Sequence, residues 1–181
     1  MSAVNKIQEK IGRFWLGKHA KRSKRIVKAF SIEKASTIGV IYNATNRDDA
    51  ETVKKFIQYL KEERKEVLSL GFIDSKDSSD LVKPHLNYTY FDKRALSQSF
   101  IPKGSEVENF MNKSFSILID LNTTPCFPIE YITTLSVAKF KVGTKGMYHD
   151  KVCDLVIDIK ENKKLYFFII QLKHYLKMIK N

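Results

Sequence analysis

The chain has 181 residues, of which 43% are hydrophobic and 12% aromatic, and a formal net charge of +12; this is enough apolar material for one hydrophobic core but not for two independent domains. No run approaches the ~20 uninterrupted apolar residues that span a bilayer, since the most apolar stretch, residues 165–172, contains Gln171 and is bounded by lysines, which excludes an integral membrane protein. Only Cys126 and Cys153 are present, without close spacing, which excludes a disulfide framework and a thiolate metal site.

Residues 4–30 lack proline and place Val4, Ile7, Ile11, Phe14 and Trp15 at helical spacing, predicting an amphipathic helix with Gly17 as a point of interruption. Charged residues separate these apolar positions, so no signal-peptide core is expected and a cytoplasmic location follows. The β-branched run at 37–43 reads as a strand, and Val53, Phe56, Ile57 and Leu60 mark one face of a helix over 49–64. A second strand over 66–74 completes a strand-helix-strand unit, which calls for a right-handed crossover in a parallel sheet. Residues 75–79 form a polar turn and 87–91 a short aromatic strand at an edge.

A short helix is expected over 106–113, followed by the clearest buried strand, 115–121, and a loop holding Pro125 and Pro128. A helix over 129–137, strands over 139–142 and 153–159, and a closing helix over 164–180 complete the pattern, with Leu165, Phe168, Ile169, Leu172, Leu176 and Ile179 on the buried side of the last. The alternation predicts a basic helical arm over residues 1–35 and a Rossmann-like α/β domain over 36–181, a three-layer sandwich with about five or six mostly parallel strands.

Ligands of open parallel sheets sit beyond the carboxyl ends of the strands. The first such loop, residues 43–49, has no glycine to let the backbone approach a phosphate, which disfavours dinucleotide and P-loop chemistry and leaves Asn46 or Asp48 as a helix cap. Asp74, Asp120 and Asp158 each end a strand and form the single constellation that points to a divalent cation, although aspartate is also a common strand-end residue. Cys126 has no phosphate cradle or arginine beside it and reads as a buried or half-buried thiol. His149, beside Asp150, reads as a loop histidine, and His19, His85 and His174 lack metal-ligand spacing, so no metal, cofactor or catalytic residue is assigned.

Charge carries the sharpest signal. Residues 1–35 hold ten Lys and Arg against two Asp and Glu, while the rest of the chain holds 22 against 18. The run KHAKRSKR at 18–25, followed by Lys28, crowds cations that repel unless solvated or matched by anions, so Lys18, Lys21, Arg22, Lys24, Arg25 and Lys28 are the candidate nucleic-acid-binding residues. Ile7, Ile11, Phe14 and Trp15 beside these lysines equally fit a helix lying on an anionic membrane, or one docked on the sheet with its lysines solvated.

The basic leader, the strand IGVIY at 38–42, SILIDL at 116–121 and AKFKVG at 138–143 resemble a small α/β family of Bacteroidota of unknown function, and the resemblance covers most of the chain. It implies a cytoplasmic protein and transfers no catalytic residue. Residues 119–121 and 138–143 are also similar to a pattern in the N-terminal half of heptosyltransferase-like glycosyltransferases, which implies a shared half-fold without the nucleotide-sugar-binding half. The leading functional expectation is a non-enzymatic, RNA- or ribosome-associated protein acting through its arm. The alternatives are a peripheral membrane-surface protein, or a small enzyme that is divalent-metal-dependent or glycosyltransferase-like.

Overall fold

The protein is described here as a computed structural model covering residues 3–22, 24–76, 88–160 and 162–180. Part of the polar turn expected at 75–79, the first residue of the expected 87–91 strand, and His85 lie outside the described residues. Helix α1 (Ala3–Ala20) leads into β1 (Thr37–Asn43), α2 (Arg47–Glu62), β2 (Glu66–Ile73) and β3 (Thr89–Asp92). The second half runs through α3 (Ser105–Asn112), β4 (Ile117–Asp120), α4 (Phe127–Leu135), β5 (Phe140–Thr144), α5 (His149–Val152), β6 (Leu155–Ile157) and α6 (Leu165–Met178).

All six strands are parallel, in the order β3-β2-β1-β4-β5-β6, so the expected α/β architecture is found and β3 does lie at an edge. Burial explains the near-continuous apolar character of the central strands, because a parallel sheet is covered on both faces. Along β1 the side chains alternate. Ile38, Val40 and Tyr42 join Val53, Phe56 and Ile57 of α2 and Phe168, Leu172 and Leu176 of α6 in one core cluster. Ile41 faces the other way, with Leu70, Leu118, Phe115, Phe110 of α3, and Ile129 and Ile132 of α4. Asn46 starts α2 as expected, its side-chain oxygen accepting from the backbone N–H groups of Asp48 and Asp49.

The N-terminal helix departs from expectation in two ways. Gly17 does not interrupt it, and it stops at Ala20 rather than near residue 30. Continuing it would have stacked Lys21, Arg22, Lys24, Arg25 and Lys28 on successive turns. Instead the chain extends, and the Lys28 and Ile32 N–H groups donate to Lys139 O at 3.0 Å and Leu176 O at 3.1 Å.

Helix α1 rests on α4 through a narrow strip. Leu16 is buried against Phe127 and Tyr131, Arg13 donates to Glu130 at 2.7 Å, and the His19 ring Nδ1 lies 2.8 Å from the Tyr131 hydroxyl. Gly12 permits the approach, since a Cβ there would stand 2.2 Å from Ser99 O and 2.7 Å from the Phe127 ring. Gly12→Ala is therefore expected to lift α1 at a cost of about 1–3 kcal/mol. Limited trypsinolysis checks this: cleavage within residues 6–22 should accelerate about tenfold while the rest of the chain stays resistant.

Candidate functional site

The exposed side of α1 is apolar. Val4, Ile7, Ile11, Phe14 and Trp15 are 62%, 60%, 45%, 60% and 42% exposed, and their spacing of three and four residues puts them on one stripe. Of the readings left open by sequence, docking of these residues on the sheet is not found: they are exposed, and the helix docks through Gly12 and Leu16. Lys6, Lys10 and Lys18 of the same helix are exposed, as are Lys21 and Arg22 just past its end. The Lys18 ammonium lies over the rings of Phe14 and Trp15, at 4.8 and 5.0 Å from their centroids, so its stem shields aromatic surface while its charge stays wet.

Of the six cations singled out by sequence, Lys18, Lys21, Arg22, Lys24 and Lys28 are exposed. Arg25 is engaged with the body. It contacts Asp154 at 2.6 Å and donates to Ala138 O and Lys139 O, fixing the extended segment to the amino end of β5.

The strand-end carboxylates do not come together. Asp74 pairs with Lys93 at 2.8 Å, Asp158 pairs with Lys145 at 3.3 Å, and Asp120 is fully buried. They end β2, β4 and β6, and two strand spacings separate successive members, roughly 10 Å each. Among the described residues no group of three His, Cys, Asp or Glu side chains is arranged to hold a metal ion.

Asp120 instead organises a buried polar network. Its Oδ2 accepts from Tyr148 Oη at 2.5 Å and Thr133 Oγ1 at 2.7 Å, and its Oδ1 accepts from the Asn122 N–H at 3.0 Å. His149, expected in a loop, begins α5 and has no exposure. Its Nε2 lies 3.2 Å from Asp120 Oδ2 without hydrogen-bond alignment, and its Nδ1 lies 3.3 Å from Thr144 Oγ1. Gly143 makes room for the ring, since a Cβ there would meet His149 Cδ2 at 2.6 Å. Burial and the facing carboxylate push the Tyr148 phenol well above its ordinary pKa, which keeps it a donor. The network is buried, and His149 Nε2 is its one buried side-chain polar atom without a hydrogen-bond partner. Tyr148→Phe would leave Asp120 one donor short, and a loss of about 1–3 kcal/mol is expected in urea unfolding.

Cys126 is half-buried, as expected, and burial pushes its thiol up to about 12, which favours the neutral thiol. Sequence gave no hint of Lys141, a buried lysine on β5 whose ammonium donates to Thr134 O at 2.9 Å, in the last turn of α4. There it meets the negative end of the helix dipole. Burial, followed by the nearby Arg25, lowers its pKa to about 8 from the usual 10.5. Between these values the unfolded chain binds more protons than the folded one, so the lysine's contribution to stability rises with pH. Denaturation of wild type and Lys141→Met at pH 7.5 and pH 9.5 should show the wild type gaining on the variant as pH increases.

Two clefts flank Asn43 at the carboxyl ends of the central strands. One, of about 340 Å³, lies between the ends of β1 and β4 and the starts of α2 and α6. The other, of about 280 Å³, is roofed by Asn5, Glu9 and Arg13 of α1 and walled by Phe72, Asp74 and Lys93.

No curated protein sequence and no solved structure matches the chain. Residues 8–179 match the model of a family of unknown function (DUF6913), and the chain belongs to that family.

Proposed function

We propose that this member of DUF6913 is a cytoplasmic, peripheral protein that binds anionic membrane surfaces through α1. The observation that carries the reading is the exposed stripe Val4, Ile7, Ile11, Phe14 and Trp15, on a helix that also carries exposed Lys6, Lys10 and Lys18 and is anchored to the body by its other side. A helix of this kind lies in the interfacial plane, burying its apolar residues at the acyl boundary while Lys and Arg reach the headgroups. Each basic residue near an anionic surface contributes about 1 kcal/mol and falls off with salt. No described helix is long and apolar enough to cross a membrane. Two free thiols accord with a reducing compartment.

A second reading, association with RNA or the ribosome, is supported by the exposure of Lys18, Lys21, Arg22, Lys24 and Lys28. Phosphate contacts use those cations but give no role to five apolar side chains held in water, which is why the membrane reading ranks first.

Co-sedimentation with vesicles of phosphatidylcholine, with and without phosphatidylglycerol, separates the two. The full chain should bind the anionic vesicles, more weakly at higher salt. The double variant Ile7→Ser, Ile11→Ser should lose at least tenfold in affinity, because each apolar side chain removed forfeits about 1.5–3 kcal/mol of burial. Neither residue packs on the body, so circular dichroism and melting temperature should be unchanged. Vesicle binding that ignores the double variant, binding to RNA that does the same while vesicles are not bound, or an oligomer in gel filtration that the variant dissociates would each overturn the membrane assignment.

A further inference from the structure

The larger cleft beside Asn43 lies where the sheet reverses its order of winding. The chain leaving β1 enters α2 on one face, while the chain leaving β4 enters α4 on the other, so the two loops part and leave a crevice beyond the strand ends. Ligands of open α/β sheets settle in that crevice, and this one has a volume of about 340 Å³.

Its lining defines the chemistry. Asn43, Thr45, Asn46, Asp49, Asn122 and Thr124 supply neutral amides and hydroxyls and one carboxylate, over an apolar floor that includes Leu121 and Leu165. The side-chain oxygens of Asn43 and Asn46 already accept from the backbone N–H groups of Thr45 and of Asp48 and Asp49, which turns their amide nitrogens into the groups left to donate. Asp49 supplies the matching acceptor. No lysine, arginine or histidine is among the described residues that line the cleft, in a chain that carries 32 Lys and Arg. The first turn of α2 carries Asp48 and Asp49 against Arg47, so the helix pole that commonly attracts phosphate holds two carboxylates and one guanidinium. Burial, and then Asp48, hold the Asp49 carboxyl above its ordinary value.

We infer that this cleft binds a small neutral molecule rich in hydroxyl groups, such as a sugar ring free or within a nucleoside, with Asp49 accepting from its hydroxyls and the Asn43 and Asn46 amides donating to its oxygens. Phosphorylated forms are rejected by the two carboxylates. This site is independent of the α1 stripe and stands or falls separately from membrane binding.

Isothermal titration of the full chain with ribose, glucose and adenosine tests the neutral class, and AMP and inorganic phosphate test the charged one. At least one neutral probe should bind with a Kd of about 1 mM or tighter. Asp49→Asn should weaken that binding at least tenfold, and Thr124→Trp, an exposed position that can fill the cleft, should abolish it. AMP should bind no tighter than adenosine. Failure of all three neutral probes, tighter binding of AMP or phosphate, or binding unchanged by both substitutions overturns the inference.

Discussion

A carboxylate with no exposure to water sits at the end of β4, and desolvating such a charge is costly unless donors surround it. Asp120 meets that requirement with three donors, Asn122 of its own loop, Thr133 of α4 and Tyr148 at the entry to α5, and the His149 ring lies beside it. The elements that follow β4 are thereby held at one point. The loop after β4 takes the shape that leaves the β1/β4 crevice open, α4 is set at the height where Phe127, Glu130 and Tyr131 receive α1, and α5 is turned inward over Gly143. The surface features adjoin this buried polar knot, whose Asn122 also lines the β1/β4 crevice.

Helix α1 divides its circumference between two tasks. One strip, built on Gly12, Leu16 and His19, is a tertiary contact of modest extent. The other strip is a run of large apolar side chains that a water-facing helix would ordinarily replace with polar ones. Because the attachment is narrow, the helix buries little of its own apolar surface against the body.

The architecture was legible in the sequence because periodicity is a local property. Val53, Phe56, Ile57 and Leu60 repeat as a helix face and bury as one, and the β-branched run of β1 pairs as a central strand. The strand order was not legible in this way, since pairing of β1 with β4 depends on contacts far apart in the chain. The amphipathicity of α1 was visible, but not which side docks. That choice rests on Gly12 and Leu16, four residues apart, whose small size and isolated apolarity are a fainter signal than Phe14 and Trp15. Asp120 was noticed as a strand-end carboxylate, but its partners Thr133 and Tyr148 lie 13 and 28 residues away, beyond any pattern of spacing. Lys141 sits in a strand whose sequence gives no sign that its ammonium reaches the end of a helix.

The seat of α1 is made by α4, more than one hundred residues further along the chain. During synthesis the helix therefore emerges long before the surface it rests on exists, and β1, β2 and β3 must likewise wait for β4 to close their open side. Throughout that interval both strips of the helix face solvent, and the body later covers only the docking strip. The helix is thus made before its seat, and the nascent chain carries an uncovered amphipathic helix until α4 has folded.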